Sequence, residues 1–138
     1  MKIEVRYFSR SGNTGKIACA IAEAAGVTAK IISEKLEGDV DLLFIGGAMY
    51  AFSIDARLKN FINGLDASKI KKAAVFGTSA GIQSVPANIK KLLTAKGITV
   101  IDETFYCASE FTLVNKGKPD DKDLQDAKDF AARCLKAD

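Results

Sequence analysis

The chain has 138 residues, 48% of them apolar and 27% charged, with a formal net charge of +3 and no histidine. That size fits one domain, residues 1–138, with a real core, and the balance excludes disordered and membrane-spanning chains. Without histidine there is no Ser-His-Asp triad, no Cys-His pair and no His-ligated metal. The cysteines Cys19, Cys107 and Cys134 are far apart, odd in number and form no CxxC pair, which argues against a disulfide framework or zinc site and fits a reducing cytoplasm. The lysines are spread along the chain without interleaved aromatics, as on solvated faces and not as in a nucleic-acid patch.

The first element is a strand from Lys2 to Phe8, alternating polar and apolar with no apolar stretch of a secretion signal. Ile17, Ile21 and Ala24 then recur at helical spacing up to Gly26. Thr28 to Ile32 reads as a short second strand, and Asp41 to Gly47 as a buried parallel strand ended by paired glycines. Leu58, Phe61, Ile62 and Leu65 form one apolar helical face that stops at Gly64 or soon after. A fourth strand runs from Lys72 to Gly77, a helix from about Pro86 to Lys96 before Gly97, and a fifth strand from Thr99 to Tyr106. The last helix carries Asp120, Asp121 and Asp123 at its start and a predicted buried stripe of Leu124, Ala127, Ala131 and Leu135.

Five strands alternating with helices predict an α/β fold, a doubly wound parallel sheet in a three-layer sandwich. For the order 2-1-3-4-5, a ligand is expected beyond the carboxyl ends of strands one and three. The loops to read are therefore Ser9 to Thr14, Gly46 to Ser53 and Thr78 to Ser84. In the first, the hydroxyls of Ser9, Ser11 and Thr14, a permissive Gly12 and the turn-tolerant Asn13 precede a helix N-terminus, the parts of a phosphate cradle. Arg10 is an optional further contact. The paired glycines of the second loop would let backbone approach a flat ligand, and its Tyr50 suits a planar ring, whereas Met49 reads as filler and Phe52 as core. Cys107, placed after the fifth strand, reads as structural.

Rivals on this architecture fail at the same loops. A phosphoacceptor receiver needs carboxylates where Phe8-Ser9 and Ile45-Gly46 stand. A nucleotide P-loop has a glycine where Arg10 is and a hydroxyl where Ile17 is, and the Rossmann glycine triplet is missing.

The run Ser9-x-Ser11-Gly12-Asn13-Thr14 resembles the flavodoxin phosphate motif, and the resemblance extends over essentially the whole chain. Gly47 to Phe52 is similar to the family's second loop, and Phe76-Gly77-Thr78-Ser79-Ala80-Gly81 to its third. Lys116-Gly117-Lys118-Pro119-Asp120 is similar to the entry into the last helix of short flavodoxin-like proteins. The resemblance implies an FMN cofactor held by Ser9, Arg10, Ser11, Gly12, Asn13 and Thr14 at the phosphate. By the same likeness Ala48, Met49, Tyr50, Ala51 and Phe52, with Thr78, Ser79, Ala80 and Gly81, surround the ring, and Tyr50 stacks on it.

Two features depart from the family. Carrier flavodoxins are strongly acidic, whereas this chain is mildly basic, so a less extreme low flavin potential is expected. The third loop offers no aromatic over the outer ring face, which leaves that face open to a second flat molecule unless Tyr106 or a partner covers it. The functions implied are an FMN electron carrier docking a redox protein, an FMN oxidoreductase passing electrons from NAD(P)H to a quinone-like acceptor, or a domain of this fold that binds a partner without flavin. Neither a nucleic-acid partner nor a membrane span is expected.

Overall fold

The computed structural model describes the chain except residues 11, 51–52, 80–84, 111–114 and 138, and except the side chains of residues 49, 50 and 53. Strands β1 (Ile3–Tyr7), β2 (Ala29–Ile31), β3 (Val40–Tyr50), β4 (Ser53–Ile54), β5 (Ile70–Ser79) and β6 (Phe105–Ala108) alternate with helices α1 (Asn13–Ala25), α2 (Ala56–Asn63), α3 (Val85–Ala95) and α4 (Asp121–Lys136). Five strands pair in parallel in the order β2-β1-β3-β5-β6, and the two-residue β4 turns back antiparallel on the end of β3. The predicted doubly wound order 2-1-3-4-5 is borne out, with β5 and β6 as its fourth and fifth strands. Among the described residues, no helix is long and apolar enough to cross a membrane.

Alternation along the strands sends side chains to two cores. On one face Val5, Phe44 and Phe76 pack under α1 and α4. On the other, Leu43, Ile45 and Val75 meet Leu58 and Ile62 of α2 and Ile89 and Leu93 of α3. The helix ends follow local chemistry. Gly26 ends α1 in the left-handed region at φ 74°, and Val27 N–H bonds back to Ala22 O at 2.9 Å. α4 opens on a reciprocal capping box between Asp120 and Asp123.

Three expectations are corrected. The third strand does not stop at the paired glycines but runs to Tyr50, because Met49 and Tyr50 find antiparallel partners in Ile54 and Ser53. The fifth strand is Phe105–Ala108 and contains Cys107; upstream only Val100 bridges to Ala73. There the charged pair Asp102-Glu103 turns out to meet Lys90 and Arg133. The stripe of α4 is rotated, with Ala127, Phe130, Ala131 and Cys134 fully covered and Leu124 and Leu135 only half-buried. The phenyl ring of Phe130 takes the central place against Phe44 and Phe105, at centroid distances of 6.3 and 5.7 Å.

No helix covers the crossover from β2 to β3, residues 32–39. Its place is taken by Arg6, which points from β1 to the side opposite Val5 and is 2% exposed. Its Nε donates to Glu34 O at 2.7 Å and its Nη2 to Lys35 O at 3.1 Å, while Nη1 meets Glu4 Oε2 at 2.8 Å. The guanidinium thus supplies three directions of hydrogen bonding where an apolar helix face would otherwise pack.

The paired glycines serve close packing. A Cβ on Gly46 would lie 2.3 Å from the Phe76 ring, one on Gly47 2.5 Å from Leu58 Cδ2, and one on Gly77 2.7 Å from Val85 Cγ1. Sequence reading assigned Gly46 and Gly47 to ligand approach; the space they leave is filled by the protein's own side chains. Gly46→Ala is expected to lower unfolding free energy by about 1–3 kcal/mol through overpacking, read as a drop in urea midpoint at unchanged slope.

Candidate functional site

The carboxyl ends of β1, β3 and β5 converge on one edge of the sheet, where strand order reverses between β1 and β3. The first loop leaves β1 through Phe8, whose N–H bonds to Gly46 O at 3.2 Å. It turns at Gly12, which has φ 88° and is the N-cap of α1. In that left-handed conformation a side chain would be strained, although the space a Cβ would enter is open, with nothing within 4 Å. Gly12 N–H donates to Ser9 Oγ at 3.0 Å and Lys16 N–H to Gly12 O at 3.1 Å, the first turn of the helix. A helix so started directs the N–H groups of Asn13, Thr14 and Gly15 along its axis toward the loop, with the positive end of its dipole behind them.

The predicted residues occupy different environments. Ser9 is half-buried and tied to the turn; Gly12 is exposed at its mouth. Asn13 Nδ2 donates to Glu110 O at 3.3 Å. Thr14 is buried, and its hydroxyl lies 2.8 Å from that of Thr78 on β5, which joins the first and third loops beneath the edge. Ala48 is buried, in register with Thr78, and Ser79 Oγ lies 2.9 Å from the Tyr106 hydroxyl on the opposite face. Ser11, Ala51, Phe52, Ala80, Gly81 and the side chains of Met49 and Tyr50 lie outside the described residues. The first loop stands between two hollows of about 580 Å³ each, one lined by Phe8, Ile32 and Phe61, the other by Gly12, Gly15 and Lys16.

Arg10 is held by Asp55, which the sequence offers only as one charge among those of these loops. Its Nη2 donates to Asp55 Oδ2 at 2.8 Å, and Asp55 Oδ1 accepts both the backbone N–H of Arg57 at 2.8 Å and its Nε at 3.0 Å. The Arg57 guanidinium lies 4.4 Å over the Phe8 ring. Asp55 is the N-cap of α2 and its carboxylate is 6% exposed. Hydrogen bonds from Arg57, side chain first and backbone second, with Arg10 adding to them, hold its carboxyl well below the usual carboxylate range. An aspartate directly before a helical run is an N-cap signal, and it was there to be read.

A fourth segment reaches the same edge. After β6, Ser109 N–H bonds to Ser79 O at 2.9 Å, and Glu110 reaches Asn13 while its Oε1 accepts Gly117 N–H at 2.8 Å. Left-handed Asn115 and Gly117 fold this loop back, so Asn-Lys-Gly was its signal. Cys107, facing the α1 side within β6, is buried in the core, and desolvation, with Asp123 adding to it, pushes its thiol up to about 12, as expected of a cysteine that packs.

Sequence comparison finds no matching family model and no matching curated protein. Solved structures do match. A flavodoxin from the domain Archaea superposes with a TM-score of 0.79 at 22% identity over 99% of this chain and 100% of that one. Oxidised flavodoxin 2 from Bacillus cereus follows at 0.75 and 18%, over 99% of each chain. Rubredoxin oxygen:oxidoreductase from Desulfovibrio gigas matches at 0.75 and 20% over 98% of this chain but only 36% of its own length. The chain therefore has the flavodoxin-like fold, and the likeness read from Ser9 to Thr14 is borne out at the level of fold.

Two outcomes test the site's framework. Thr14→Val should lower stability by about 1–3 kcal/mol by stranding the Thr78 hydroxyl, while Thr14→Val with Thr78→Val costs less than the two single changes summed. The depressed Asp55 carboxyl means that the folded chain binds fewer protons than the unfolded one at acid pH. Its contribution is complete above the unfolded value, about 4, and is lost as pH falls toward the folded one. Asp55→Asn should therefore flatten the acid-side fall in urea midpoint.

Proposed function

We propose that this chain binds FMN at the carboxyl edge of β1, β3 and β5 and works in electron transfer. The observation that carries the reading is the left-handed Gly12 turn, open at its mouth, opening α1 beside the strand-order reversal of a flavodoxin-like sheet. The donor set fits the group: amides of Asn13, Thr14 and Gly15, the positive helix end and short hydroxyls suit a phosphate dianion.

In this reading Ser9 holds the turn in shape and Ser11 adds a hydroxyl to the phosphate, while buried Thr14 fixes the helix start against Thr78. Ala48 to Phe52 form one wall of the ring site, with Tyr50 as stacking residue, and Thr78 to Gly81 form the other, contacting the ring edge through backbone. Bound FMN supplies reversible electron exchange that no side chain of this chain provides. The chain's part is to orient the ring, exclude water from one side of it and set its electrostatic surroundings. With a net charge of +3, and Arg10, Lys16 and Arg57 on the rim against Asp55 and Glu110, those surroundings favour a flavin potential less negative than that of an acidic carrier.

Purified protein should be yellow, release a chromophore of FMN mass, and rebind FMN one to one as apoprotein. Gly12→Ala should weaken rebinding by about tenfold, since the left-handed turn then costs on the order of 1–2 kcal/mol. A colourless protein that gains no flavin absorbance with added FMN would overturn the proposal. Rapid NADPH oxidation with a quinone by the protein alone would replace the carrier with an oxidoreductase.

A further inference from the structure

Arg10 and the mouth of the first loop are two residues apart, in a turn closed by the bond from Gly12 N–H to Ser9 Oγ. An arginine there is within reach of any anion seated on the turn, and its planar fork matches phosphate. The structure aims it elsewhere. Its Nη2 is on Asp55 Oδ2 at 2.8 Å, and the same carboxylate also holds Arg57 through backbone and side chain. Asp55 is almost covered at 6% exposure, whereas Arg10 and Arg57 are 53% and 64% exposed, so the anchored partner is the carboxylate.

Resting on the FMN reading above, we propose that Asp55 is a positioning residue that holds Arg10 away from the phosphate cradle, so that the dianion is bound by backbone amides and hydroxyls without a side-chain cation. The arrangement moderates affinity. Asp55 occupies the one arginine of the first loop, and two guanidinium partners offset its own charge.

FMN titration of apoprotein at low and high salt, with riboflavin as the probe lacking phosphate, tests this. D55N retains the cap on α2, since asparagine caps as well as aspartate, but loses the charge that holds Arg10. It should bind FMN about tenfold more tightly at low salt, with the gain shrinking as salt rises and absent for riboflavin. In D55N/R10Q the gain should disappear. Unchanged or weaker FMN binding by D55N overturns the inference, as does a gain that survives R10Q or that appears equally with riboflavin. Failure of the unaltered chain to bind FMN at all overturns the flavin reading itself, and is distinguishable from these results.

Discussion

Three missing side chains set how near the helices stand to the sheet. At Gly46 the Phe76 ring lies across the backbone of β3, and at Gly47 and Gly77 the side chains of Leu58 and Val85 descend onto the strands from α2 and α3. The three are neighbours in the pairing of β3 with β5, where Gly46 faces Phe76 and Gly47 faces Gly77. They lie just before the strands reach their carboxyl ends. Both helices on that side are therefore drawn in at the end where the candidate site is, and Asp55, which opens α2, stands beside the same contact. A close-packed interior transmits such an approach over several residues.

Above that packed layer the edge is knitted by polar pairs that join segments distant in sequence. Thr14 meets Thr78, Arg10 meets Asp55, and Asn13 meets Glu110. Each ties the first loop to a different strand end. The helix start that points its amides at the loop is consequently fixed from three directions, which would preorganise it for the proposed phosphate. The division of labour is clear: the buried hydroxyl pair secures position, and the exposed ion pair distributes charge.

Much of this was written plainly in the sequence. The alternation of Lys2 to Phe8, the apolar run at Asp41 and the helical spacing of Leu58 to Leu65 were enough for the succession of strands and helices, because each pattern is local; the strand order came with the architecture they resemble. The errors came where a distant partner decided. Phe130 displaced Leu124 and Leu135 from the centre of the α4 stripe because Phe44 and Phe105 offer it a ring-shaped place. β3 outran its glycines because Ser53 and Ile54 return to pair with it. The role of Gly46 and Gly47 was misread for a related reason: a glycine states that room is needed but not who fills it. Asp55, by contrast, carried an ordinary N-cap signal, and what no local pattern could show was that it would capture an arginine 45 positions away.

The helix-free crossover after β2 has a bearing on how the molecule breathes. β2 is three residues long, pairs with one strand only, and carries an Ile31 that is 50% exposed. Its link to β3 is clasped chiefly by the guanidinium of Arg6. A three-residue, single-sided ladder is expected to stand at the low end of local stabilities and to open before the centre of the sheet. β1, β3 and β5 are paired on both sides and need not follow. Amide hydrogens at Ala29 to Ile31 would then exchange through local excursions, while those beneath the carboxyl edge wait for the whole domain to unfold.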